Sequence, residues 1–149
     1  MRKAFAVIAI LFLVAVVAQF YFGGVGHFSS EENGLWAMHG ENGRIVLRVL
    51  AVLLVIAAAL AKAGKRAIWM SVIALLLVLF QTVLFILGGA IWGLGPENHD
   101  NIPVAASFML GLHVLVGVAV LGMSISVMTI ARNLAFPKKS ATESVTAAP

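Results

Sequence analysis

Four apolar runs, residues 4–22, 45–61, 67–92 and 102–131, alternate with short polar stretches along the chain. An α-helix rises about 1.5 Å per residue, so about 20 residues cross the hydrocarbon core of a bilayer. Each run is near or above that length, and none carries a run of charges. The segment Leu35-Trp-Ala-Met-His39 ahead of the second run is also compatible with helix, which sets the expected helices at about 4–22, 36–62, 67–92 and 102–132. The fold expected is all-α: one four-helix transmembrane bundle over residues 1–136. The turn Ala63-Gly-Lys-Arg66 is short, so the second and third helices should be antiparallel neighbours. Gly23-Gly-Val-Gly26 reads as a flexible exit from the first helix. Gly93–Pro103 is rich in turn chemistry. Residues 137–149, rich in Ser, Thr, Ala and Lys, read as a disordered tail.

Composition agrees with the pattern. The chain has 149 residues, of which 62% are hydrophobic and 11% charged, more apolar surface than a soluble domain of this size needs. The net charge of +4 does not point to nucleic acid, because the charges are sorted by loop. Arg2, Lys3, Lys62, Lys65, Arg66, Arg132, Lys138 and Lys139 lie at one end of the bundle. Glu31, Glu32, Glu41, Glu97 and Asp100 lie at the other, with only Arg44 and Arg48 near them. The positive-inside rule then puts both termini in the cytoplasm and the protein in the cell membrane as a multi-pass chain. The start of the sequence also has the form of a secretory signal ending at Val16-Val-Ala18. The apolar run continues through Phe20, Tyr21 and Phe22, which suits a retained first span. The absence of cysteine excludes disulfides, thiolate metal sites and covalent haem attachment.

Ionisable groups inside such spans are costly and mark sites. His113 lies within the fourth run and His39 opens the second helix. Counted from the inner ends, His113 stands about 28 Å and His39 about 34 Å up its helix. The second and fourth helices run parallel and can lie diagonally across a bundle. Two imidazoles at one level are the arrangement that holds a haem iron. Each histidine is followed four residues later by glycine, Gly43 and Gly117, on the same helix face. There they would clear space for a flat porphyrin. Arg44 and Arg48 would pair with its propionates. The blander role for His113 is a hydrogen bond to Gln81 or Ser107, and for the glycines close helix packing.

A weak internal repeat accompanies this pattern. Gln19 and Gln81 each precede a Gly-Gly pair on the helices that run outward, and each His-x-x-x-Gly lies on a helix that runs inward. Interhelical hydrogen bonding is the simplest role for both glutamines. Trp36, Trp69, Trp92 and Tyr21 fall near the expected interfaces, where aromatic residues form belts. A second candidate cluster, His27 and His99 with Glu31, Glu32, Glu97 and Asp100, has ligand types that suit zinc or copper but no diagnostic spacing. Phosphate loops, nucleophile elbows and His-Glu-x-x-His are absent.

The stretch Gln81-Thr-Val-Leu-Phe-Ile-Leu-Gly-Gly-Ala-Ile-Trp, an outer loop, then Leu112-His113 opening a long apolar stretch, resembles the second hairpin of one four-helix half of a haem A synthase. Small four-helix membrane proteins with the same Gln, Gly and His-x-x-x-Gly pattern are closer in size. The resemblance spans roughly residues 10–132 and implies haem b bound by His39 and His113. The family usually has arginine after the second-helix ligand, where this chain has Gly40. Many members also carry loop cysteines that are missing here. The synthase reaction needs a second half and is not implied. Bis-histidine iron has no open position, which argues against oxygen or substrate chemistry. Electron transfer, or a place in a respiratory membrane complex with other subunits or a quinone as partner, is the function expected. The alternative is a cofactor-free accessory subunit of a membrane complex. A transporter is disfavoured by the lack of intramembrane acids and broken helices.

Overall fold

A computed structural model describes residues 1–94 and 102–137. Among these residues there are four long helices and no strand. They are α1, Arg2–His27; α2, Trp36–Leu60; α3, Lys65–Trp92; and α4, Val104–Ala135. All four are long and apolar enough to cross a membrane, and the chain is a multi-pass membrane protein.

α1 and α3 each pack against both α2 and α4, so α2 and α4 face each other diagonally. The turn between α2 and α3 is made by Lys62 at φ 51° and Gly64 at φ 87°. α3 ends on Gly93, left-handed at φ 65°. Its N–H donates to the Gly89 carbonyl at 2.9 Å, and that of Leu94 to Gly88 at 3.4 Å. This closure satisfies orphan carbonyls at a helix C-terminus, and only glycine adopts it without strain.

The half of the bundle that carries both chain ends is packed with small residues. Ala6, Ala9, Ala51, Ala58, Ala67, Ala74 and Ala131 are buried, wedged by Phe5, Phe12, Leu54 and Val127. In lipid the apolar tails compete equally for apolar side chains, so close backbone approach at small residues drives packing. The buried Ser71 and Ser124 donate to carbonyls of their own helices, Ala67 and Leu121. Large side chains such as Val14, Leu60, Leu76, Ile86 and Leu115 point outward, as a lipid-facing surface requires.

One expectation needs correction. Gly23–Gly26 is helical, not a flexible exit, because α1 continues to His27. At membrane depth the backbone must satisfy its own polar groups, and these glycines permit close approach. A Cβ on Gly23 would stand 3.1 Å from His39 Nδ1, and one on Gly26 only 1.9 Å from the Trp36 ring. α2 is also not uniformly α-helical. Residues Asn42–Val46 form a π turn, a local insertion that is frequent at functional sites. The expected loop chemistry of residues 95–101 and the tail from Lys138 lie outside the described residues.

Candidate functional site

The half remote from the chain ends is built differently. Its interior holds Gln19 from α1, His39, Asn42 and Arg48 from α2, Gln81 and Thr82 from α3, and His113 from α4. The expected histidine pair is brought together: the His39 and His113 ring centroids lie 6.0 Å apart with the planes at 61°. Equal depth is thus met by two helices that share little other contact. Each ring has an aromatic neighbour. Trp36 stacks on His39 at 5.1 Å and 9°, and Phe85 meets His113 edge-on at 4.9 Å.

His39 is held by Gln19 through a closed network. The His39 Nδ1–H donates to the Gln19 carbonyl at 3.0 Å. That carbonyl can only accept, so the proton sits on Nδ1 and Nε2 presents its lone pair. The Gln19 side-chain N–H₂ donates to this Nε2 at 3.1 Å and to the His39 carbonyl at 3.1 Å. The Asn42 amide fixes the glutamine's orientation, donating to Gln19 Oε1 at 2.7 Å and to the Ala15 carbonyl at 2.9 Å. Donation of Nδ1–H to a backbone carbonyl is the usual support of an imidazole that binds metal through its other nitrogen.

The opposite side is unsatisfied. His113 Nδ1, Gln81 Oε1 and Arg48 Nε are buried with no hydrogen-bond partner among the described residues. Buried polar atoms are nearly always paired, and leaving one unmade costs about 1–3 kcal/mol. The Arg48 guanidinium donates through Nη2 to Thr82 Oγ1 at 2.7 Å. It forms no ion pair among the described residues.

The remaining expected site residues divide. Arg48 turns into the bundle. Arg44 does not: it is exposed and pairs with Glu41. Gly43 and Gly117 lie one turn from their histidines, yet the space beside them is taken. A Cβ on Gly43 would stand 2.9 Å from Gln19 Nε2. One on Gly117 would stand 3.3 Å from Phe20 Cζ and 3.6 Å from Gln81 Nε2. The expectation that both glycines clear an open face is therefore corrected: the freed volume holds the chain's own glutamines and Phe20. The two imidazoles stand side by side, with both nitrogens of His39 bonded to Gln19. As packed, Gln19, Gln81 and Phe20 occupy the space a porphyrin plate would need beside these glycines.

Trp36 is not simply a belt residue, since it covers Gly26 and His39. Ser107 donates to Pro103 at 3.5 Å, so neither proposed hydrogen-bond partner holds the buried nitrogen of His113. Of the second cluster, His27 and Glu32 are exposed, and Glu97, His99 and Asp100 lie outside the described residues. Among those described, no three His, Asp or Glu side chains converge as for a bare metal ion.

Residues 19–89 match the model of a family of unknown function, DUF6220. That stretch starts at Gln19, includes His39, Gly43 and Gln81, and stops short of His113. No curated protein and no solved structure matches the chain.

Proposed function

We propose that the protein binds one haem b between His39 and His113 and passes single electrons, on its own or as a subunit of a respiratory complex in the cell membrane. One observation carries this reading: two intramembrane imidazoles from diagonal helices stand 6.0 Å apart. His39 and His113 would each offer one ring nitrogen to the iron. The unpaired His113 Nδ1 and the Nδ1–H tautomer of His39 support it. So does the likeness to one half of a haem A synthase. When bound, the haem would supply a reversible one-electron couple. His39 and His113 would hold it, and Arg48 would face a propionate. Titrating haemin into the apo-protein in detergent should saturate at one equivalent with a low-spin spectrum. Binding that never saturates, or is undiminished in a His39→Ala/His113→Ala double variant, would be non-specific and would sink the proposal.

The proposal includes an orientation, both termini in the cytoplasm, supported by the sorting of basic residues. A cytoplasmic reporter fused after Pro149 should then be active; an externally active reporter at Gly64 would reverse the topology.

A second reading is favoured by the Gln19 network. Both His39 nitrogens are satisfied within the chain, as expected of a cofactor-free accessory subunit. The titration separates the two, because that subunit takes up no haem.

A further inference from the structure

Arg48 is a cation set deep in a span. Counted from Lys62 it stands about 21 Å up α2, and counted from Lys65 its partner Thr82 stands about 26 Å up α3. Both levels fall inside a hydrocarbon core about 30 Å thick. Arg48 is half-buried and donates through Nη2 to Thr82 Oγ1 at 2.7 Å. Its Nε is buried without a partner, and no carboxylate pairs with it among the described residues. Charges at such depth are costly and almost always paired. The seam that holds the guanidinium is open to lipid. One turn away on the two helices, Ile45, Val52, Leu79 and Ile86 are all exposed.

We propose that this seam between α2 and α3 is an assembly surface, which seats a transmembrane helix of a different subunit whose Asp or Glu pairs with Arg48. The occupant follows from charge and depth. A guanidinium is a planar fork of N–H donors that a carboxylate meets with parallel hydrogen bonds. Such a pair is far stronger in a low dielectric than in water. The four apolar runs contain no Asp or Glu, so a second copy of this chain brings no acid to this level. Glu41 lies about 10 Å further along α2 and is engaged with Arg44. Phospholipid phosphates lie beyond the hydrocarbon core, and the bond to Thr82 keeps the guanidinium within it. A carboxylate carried by another helix meets both conditions, and Ile45, Val52, Leu79 and Ile86 give that helix an apolar bed. The proposal concerns the chain as packed and does not rest on haem. A propionate would compete for the same guanidinium, so the test leaves haem out.

The probe is a synthetic polyleucine transmembrane helix with one glutamate at the depth of Arg48. Its association with the labelled protein is read by energy transfer in phosphatidylcholine vesicles. The parent should bind the glutamate helix about tenfold more tightly than the same helix with glutamine or leucine there, the scale of a polar contact between membrane helices. Arg48→Gln should erase that preference, and Arg48→Lys should keep part of it, because the charge stays while the fork is lost. Should Arg48→Gln fold poorly, the three helices compared on the parent protein still decide. Equal binding of all three, or a preference undiminished in a folded Arg48→Gln variant, would overturn the assembly contact. So would a preference that fades as phosphatidylglycerol is added to the vesicles, since the counter-ion would then be a lipid phosphate. Each of these failures leaves the haem reading where it stands, because that reading is decided by the haemin titration.

Discussion

His113→Ala should strip the protein of haem, weakening retention by more than about a hundredfold. Removing even the hydrogen-bond partner of a metal-ligating histidine costs about 10–100-fold in affinity, and here the ligand itself is lost. Nothing nearby replaces it, since Gln81 is a poor iron ligand and Ser107 donates to its own helix. His39→Ala should do less. With His113 in place the haem should stay, five-coordinate and high-spin, and bind carbon monoxide when reduced, which the parent should not do. His27→Ala should leave the spectrum unaltered, because that ring is exposed beyond the bundle interior and contacts Phe28. These outcomes are read by absorption spectra of detergent-purified variants. Equal effects of His27 and His39 substitution would mean the second ligand is misassigned.

Gly117→Leu should insert and fold as a bundle yet hold no haem. A Cβ at this position meets Phe20 Cζ at 3.3 Å, and the rest of a leucine side chain must drive Phe20 and Gln81 aside. Such overpacking costs about 1–3 kcal/mol, which lowers the melting temperature without abolishing the fold. The leucine also fills for good the volume that Phe20 must leave before a porphyrin can enter. Near-normal haem occupancy in this variant would remove Gly117 from the site and leave it a packing glycine. The measurement pairs haem content by pyridine haemochrome with a thermal melt of the same sample.

The spans were legible because lipid imposes one strong rule. Every backbone group must be paired internally, so apolar runs become helices whatever their local propensities. The same rule overrides glycine as a breaker, which is why α1 runs through Gly23–Gly26. The histidine pair was legible from depth alone, since counting 1.5 Å per residue fixes height along a helix. What faces a glycine was not legible. Spacing places Gly43 on the face of His39, but only the packing of α1 shows Gln19 filling that space. Nor does spacing reveal that Asn42 holds Gln19, or that Arg48 turns inward while Arg44 turns out. The π turn at Asn42–Val46 contributes to this difficulty, because it breaks the regular α-helical register between His39 and Arg48. The sequence position of Trp36 fits an interface and suggests a belt residue. Its contact with Gly26 depends on two helices meeting.

The measurement that tests haem ligation most directly is a reduced-minus-oxidised difference spectrum of the protein expressed with added haem precursor and purified in mild detergent. A sharp low-spin haem b α-band at about one haem per chain, absent from His113→Ala, is the expected result. A colourless protein that stays colourless when haemin is added would contradict it, leaving His39 and Gln19 as an interhelical clasp in a cofactor-free membrane subunit.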